Sequence, residues 1–192
     1  MSEQTHKITR SRRGFTIAET LVAILILSLV GGALAGGVRQ YRESMLLSET
    51  KVLCSTLTSV IQSELANTKT VELDGTTVKK FFSANYAIEK SLSGFLSVRR
   101  GENALGGETL TPLENGYGEV WLGTVEDGAI LGKPLLSSRA YTTYRVGVKV
   151  TASYNGGIFD VTLRFRPEGA AEDILVSSFD VLPLNDVKEE TE

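Results

Sequence analysis

The 192-residue chain has one cysteine and one histidine. With Cys54 alone, no intramolecular disulfide can form, and the fold must be held by packing. The histidine is His6, so the rest of the chain lacks imidazole, which excludes a His-based catalytic triad or His-ligated zinc site there. Proline is equally scarce: all four lie beyond residue 111, and none interrupts the first half of the chain. Basic charge is scarce outside the start. The net charge is −3, yet residues 1–14 carry Lys7, Arg10, Arg12 and Arg13 against Glu3 alone, leaving an acidic remainder. Such a body is unsuited to nonspecific nucleic-acid binding, and no specific nucleic-acid partner is expected. No oxygen-rich calcium loop is present; Glu168, Glu172 and Asp173 read as solvated charge. Gly106-Gly107 and Asn155-Gly156-Gly157 read as turns, because neither links a strand to a helix as a phosphate loop must. No cofactor, metal or catalytic residue is expected.

What the chain does have is one long apolar run. From Phe15 to Val38 the only charge is Glu19. As a helix this run reaches roughly 36 Å, enough for the hydrocarbon core of a bilayer. The helical pattern continues through 39–67, where Leu46, Leu53, Leu57, Val60, Ile61 and Leu65 recur at steps of three, four and seven between polar residues. One helix of about 50 residues is therefore expected, apolar all round over 15–38 and amphipathic over 39–67. Cys54 falls on it as a small packing residue. Thr68–Thr77, containing Asp74-Gly75, reads as the exit loop.

Residues 78–90 fit either a short helix or a strand. Residues 94–132 hold nine of the nineteen glycines and read as connecting material with one strand near Glu119–Val125; Trp121 fits a core position or an exposed edge. In Ala140–Tyr154, Tyr144, Val146, Val148, Val150 and Ala152 alternate with polar residues. After Asn155-Gly156-Gly157, Phe159, Val161, Leu163 and Phe165 alternate again. Two period-two runs about such a turn predict a β-hairpin. Asp173–Leu182 reads as a third strand, and the tail 188–192 as frayed. The layout is α+β, with an antiparallel sheet over 68–187 free to bury one face on the amphipathic half of the helix.

The N-terminus admits three readings. A secretory signal peptide fits the basic start and the small-residue triplet ending at Ala35. A twin-arginine signal fits Ser11-Arg12-Arg13-Gly14-Phe15. The third is a leader cut before the apolar segment, which then stays in the mature protein. Glu19 separates them: an ionised group deep in a bilayer costs about 2.5–3.5 kcal/mol, and neither signal peptide has a use for it. Cleavage after Ala35 would also discard half of the helical pattern.

Gly14-Phe15-Thr16-Ile17-Ala18-Glu19, followed by the unbroken run from Thr20, closely resembles the cleavage and methylation signature of type IV pilins and type II secretion pseudopilins. The resemblance covers roughly residues 7–40. It implies a structural subunit, not an enzyme, with 1–14 as a basic leader. It implies cleavage between Gly14 and Phe15 by a prepilin peptidase, N-methylation of Phe15, and assembly through 15–38. It also implies pairing of Glu19 with the N-terminal amine of a neighbouring subunit. The implied partners are the membrane, other pilin subunits, the peptidase, and an assembly platform with its ATPase machinery. The implied location is the cytoplasmic membrane as a single-pass precursor, then a cell-surface filament or pseudopilus. Gly32 and Gly36 make a small-xxx-small face for close helix approach, and interior glycines also weaken the helix by up to about 1 kcal/mol each. Close packing, local melting and a tolerated glycine cluster all remain open. The chain departs from many pilins in lacking a proline in this region and paired cysteines near the C-terminus. Two other classes compete: a secreted soluble domain released after Ala35, and a binding protein tethered by its N-terminal helix.

Overall fold

A computed structural model of the chain describes residues 16–84, 92–113, 116–127 and 129–191. The fold is α+β. A 50-residue α-helix, α1 (Ile17–Ala66), precedes a β-rich body. By its internal contacts the chain divides into two compact units, Met1–Ser44 and Met45–Glu192. Within the first, every described residue is exposed, including Leu21, Ile24, Leu25, Leu29 and Leu34. The helix is long and apolar enough to cross a membrane, and it is α-helical without a break through Gly31–Gly37.

In the second unit α1 changes character. Leu53, Cys54, Leu57, Ile61 and Leu65 are buried, which is the three-and-four spacing of a single helix face. They pack in one core with Val71, Phe81, Val148, Phe159, Val161, Leu163 and Phe165. Burying side chains of this size contributes about 1.5–3 kcal/mol each. The polar Thr50 is tolerated there because its Oγ1 donates to the Leu46 carbonyl, 2.7 Å away.

The larger sheet contains β1 (Thr68–Asp74), β2 (Thr77–Ser83), β3 (Leu92–Ser93), β8 (Val146–Asn155), β9 (Ile158–Pro167), β10 (Leu175–Val181) and β11 (Lys188–Thr191), in the order β10-β9-β8-β2-β1-β11 with β3 on β2. All its pairings are antiparallel except β1 with β11. The smaller sheet is β4 (Phe95–Glu102), β5 (Glu108–Pro112), β6 (Glu119–Glu126) and β7 (Ala129–Pro134), in the order β5-β4-β6-β7. A short helix, α2 (Ser138–Tyr144), leads into β8.

The expected hairpin is β8–β9. Asn155 pairs with Ile158 across Gly156-Gly157, both at positive φ (59° and 87°), as the tight turn between right-twisted strands requires. Its expected start at Ala140 is corrected: Ala140–Tyr144 belongs to α2, which stops where Arg145 turns left-handed. The expected third strand is β10, and the strand near Glu119–Val125 is β6. The region 78–90 is strand as far as Ser83; residues 85–90 lie outside the described residues.

Three further expectations are overturned. Thr68–Thr77 is not an exit loop: Thr68–Asp74 is a strand, Asp74 pairs with Thr77, and Gly75-Thr76 is the turn of the β1–β2 hairpin. The glycine-rich 94–132 is mostly a sheet, because Gly123 and Gly132 sit opposite each other in β6 and β7, where a Cβ on either would meet the other strand's backbone. The tail is not frayed; Lys188–Thr191 adds a parallel strand to β1, satisfying backbone groups that an open edge would leave bare. Trp121 is buried, with its indole N–H 3.4 Å from Glu119 Oε2.

Asp173 is not merely solvated. Its carboxylate accepts from Arg166 Nε at 2.9 Å and lies 3.5 Å from Arg164 Nη1, while the Arg166 guanidinium lies 4.0 Å above the Tyr117 ring. Burial pushes the Asp173 carboxyl up, but hydrogen bonds from Tyr117 and Arg166 and the neighbouring positive charge outweigh it and hold the group below its usual range. A depressed carboxyl stabilises the fold above its unfolded value of about 4 and loses that contribution as pH falls through the folded value. Asp173→Asn should therefore cost about 1 kcal/mol at pH 7, a charged hydrogen bond discounted for partial exposure. Urea unfolding at pH 7 and pH 3 checks this: the gap between wild type and variant should be smaller at the lower pH.

The two sheets meet at Gly118. Its N–H donates to the Val148 carbonyl at 3.1 Å and its carbonyl accepts from the Val148 N–H at 2.8 Å, while Ser97 Oγ donates to the same Val148 carbonyl at 2.9 Å. A Cβ at Gly118 would overlap the Val98 carbonyl, which cannot swing away as a side chain could. Gly118→Ala should destabilise the body by about 1–3 kcal/mol, measured as a lowered urea midpoint, whereas the same change at the open Gly106 surface turn should act only through its backbone angle.

Candidate functional site

The residues singled out in the sequence lie at and near the start of α1. Gly14 and Phe15, with the leader 1–14, fall outside the described residues; Glu19 and the glycines fall within them. Thr16 is the N-cap of α1: its carbonyl accepts from Thr20 N–H at 3.1 Å, the first intrahelical bond. Glu19, three residues on, closes a reciprocal pair. Its Oε2 accepts from the Thr16 N–H at 2.9 Å and from Thr16 Oγ1 at 3.0 Å, and Thr16 Oγ1 accepts from the Glu19 N–H at 3.2 Å.

This is a capping box, in which two backbone donors that the helix cannot satisfy itself are satisfied by side chains. The carboxylate also sits at the positive end of the helix dipole. The acid thus has a local partner before any other molecule is considered. Sequence reasoning treated Glu19 as a charge in want of a partner and passed over Thr16, although Thr-x-x-Glu before an apolar run is the written signal for this cap. Both bonds use Oε2; Oε1 has no partner among the described residues.

Elsewhere on the apolar half, Thr20 Oγ1 donates to the Ile17 carbonyl at 2.8 Å and Ser28 Oγ to the Ile24 carbonyl at 2.8 Å. These hydroxyls are satisfied inside their own helix, as a low-dielectric surrounding requires. Gly31, Gly32, Gly36 and Gly37 have nothing within 4 Å of where a Cβ would stand, so the small-residue face has no occupant among the described residues. Arg39 pairs with Glu43 at 2.9 Å, marking the return of charge beyond the apolar segment.

The architecture defines a class: a β-rich body carrying one membrane-competent N-terminal helix that opens on a capped acid. Residues 9–35 match the family model for the prokaryotic N-terminal methylation motif, the signature of type IV pilins and pseudopilins. The motif, together with the apolar N-terminal helix, supports a membrane-anchored precursor similar to type IV pilins and pseudopilins, proteins that in general associate with other pilin subunits and with peptidase and assembly machinery. Comparison with curated proteins and comparison with solved structures each gave no match.

The cap predicts a measurable local effect. Thr16→Ala should destabilise the first turn by about 0.5–2 kcal/mol, with Thr16→Ser close to wild type. Amide exchange at residues 17–20 of the full chain in micelles should accelerate about fivefold in the alanine variant, while the amides of Leu53–Leu65 are unmoved.

Proposed function

We propose that the chain is a minor pilin or pseudopilin, built into a type IV pilus or type II secretion-like filament after prepilin peptidase cuts between Gly14 and Phe15. The observation that carries this is the methylation motif placed on a helix whose described residues up to Val38 are all exposed and, apart from Thr16, Glu19, Thr20 and Ser28, apolar or glycine. In this reading Gly14 lets the backbone lie close in the peptidase cleft, because it has no Cβ to obstruct it. Lys7, Arg10, Arg12 and Arg13 hold the leader on the cytoplasmic side.

Trimming creates a cationic amine on Phe15, which the peptidase methylates. Glu19, one helical turn away, pairs with the corresponding amine of a neighbouring subunit when helices pack. Its Oε1 is the oxygen left for that contact. Burying two opposite charges together is cheaper than burying either alone, so the pair selects the axial step at which a subunit is accepted more than it adds stability. The Gly32–Gly36 face, open in the single chain, permits close approach of a second helix. Residues 39–67 complete the helix and 68–187 form the surface of the filament. The precursor resides in the cytoplasmic membrane and the mature subunit in a cell-surface filament or pseudopilus.

N-terminal sequencing of the protein from cells tests this. Methylated Phe15 is the expected first residue; Gly36 would instead mark a secreted domain, and residue 1 or 2 a tethered protein. Gly14→Val should leave full-length precursor in the membrane, and its normal trimming would overturn the proposal. Glu19→Val should still be trimmed yet enter filaments at least tenfold less than wild type, scored by immunoblot of sheared filaments against the membrane fraction.

A further inference from the structure

On the β-rich body, where β4, β6 and β8–β9 come together, lies an open groove of about 580 Å³. Its lining includes Arg99, Arg100, Arg145, Arg166, Tyr117 and Glu119. In a protein that is acidic outside its leader, this one concavity, lined also by Glu119 and Glu168, has four arginines. They are not equivalent. Arg100 is held by Glu108 at 2.6 Å and Glu119 at 3.2 Å, and Arg166 by Asp173 at 2.9 Å with its plane on the Tyr117 ring. Arg99 and Arg145 have no carboxylate partner among the described residues. Arg145 is placed by an unusual backbone (φ 50°, ψ 44°), anchored by its N–H on the Tyr141 carbonyl. Few non-glycine residues occupy this region.

Glu119 narrows the ligand. It is only 7% exposed, and Arg100 Nε, Ser138 Oγ and Trp121 Nε1 all converge on its Oε2. Its Oε1 has no partner among the described residues. A fixed carboxylate in a lining shared with Arg99 and Arg145, which have no carboxylate partner among the described residues, repels a bare polyanion but accepts from a hydroxyl. Long nucleic-acid chains are further disfavoured by the acidic body. A ligand that satisfies both halves carries an oxyanion for arginine and hydroxyl donors for Glu119. The volume lies in the range of about 300–1,000 Å³ that small-molecule sites occupy. The geometry points to a binding site for a small polyhydroxylated anion of the sugar-acid type, with Arg99 and Arg145 taking the carboxylate and Glu119 a ring hydroxyl. This site is independent of the filament reading, since nothing in it involves α1.

The test is titration of the full-length chain, in a polyoxyethylene detergent free of sugar and phosphate, with glucuronate, glucose and inorganic phosphate, followed by amide NMR and calorimetry. Glucuronate should bind saturably and shift the amides of residues 99, 145 and 119, while glucose should not. Arg99→Gln and Arg145→Gln, both at exposed positions, should each weaken glucuronate at least tenfold without moving the thermal midpoint. Glu119→Gln should weaken glucuronate and leave phosphate unchanged or tighter. Absence of saturable glucuronate binding overturns the proposal. So does binding that both arginine variants retain, equal binding of glucose, or phosphate binding as tight as glucuronate.

Discussion

The whole structure depends on one helix meeting two different surroundings. Over its first half α1 has apolar side chains on every face and none is buried; from Thr50 onward only one face is apolar, and that face is buried. A helix can do this because its backbone bonds are satisfied internally at every position, so the surroundings are selected by side chains alone. The β-rich body has no such freedom. Its largest fully buried residues, Phe81, Phe159 and Phe165, share a core with Leu57, Ile61 and Leu65, and without that stripe the sheet would expose its apolar face. The alternation along β9, with Phe159, Val161, Leu163 and Phe165 buried, is the complement of the helix's three-and-four spacing.

Legibility in the sequence followed this division. The helix and the β8–β9 hairpin were readable because each repeats one period over ten residues or more, and the hairpin turn has two glycines where positive φ is required. Strands β1, β4, β5 and β7 were not readable. Their burial patterns lack a clean two-residue alternation: β5 and β7 are edge strands that stay mostly exposed, and β1 and β4, though interior, bury only scattered positions, so composition there resembles connecting chain. The parallel β11 could not be foreseen either: a short acidic run has no strand pattern of its own, and its pairing is set by an edge more than 100 residues earlier. Asp173 was misread for a related reason, as its arginine partners lie across a turn that only the β9–β10 pairing brings together.

The body is also more polar inside than its composition implies. Glu119 and Ser97 are buried, and each fixes neighbouring elements: Glu119 joins β6 to β4 and α2, and Ser97 joins β4 to β8. Tyr141 acts likewise, with its hydroxyl oxygen accepting from the Val120 N–H at 3.2 Å, and burial pushes its phenol well above the ordinary range, so it stays neutral at any physiological pH. Without disulfides, such buried polar contacts give the two sheets one arrangement rather than several, since each is costly to leave unmet.

The same reasoning sharpens what Glu19 is for. A cap alone does not require a carboxylate, because Thr16 already supplies an oxygen to the Glu19 N–H, and a neutral Gln at the same place would return the bond to Thr16 N–H. In a strongly apolar setting the neutral residue would serve the cap at lower desolvation cost. An acid is therefore more than the isolated helix needs. The surplus is a negative charge held at a fixed place by Thr16, with one oxygen committed and one not. Held in that way, it loses little freedom on meeting a cation and is more selective about where the cation must be. In the proposed filament that cation is a neighbour's trimmed amine, and the capping box turns a flexible side chain into a positioned receptor for it.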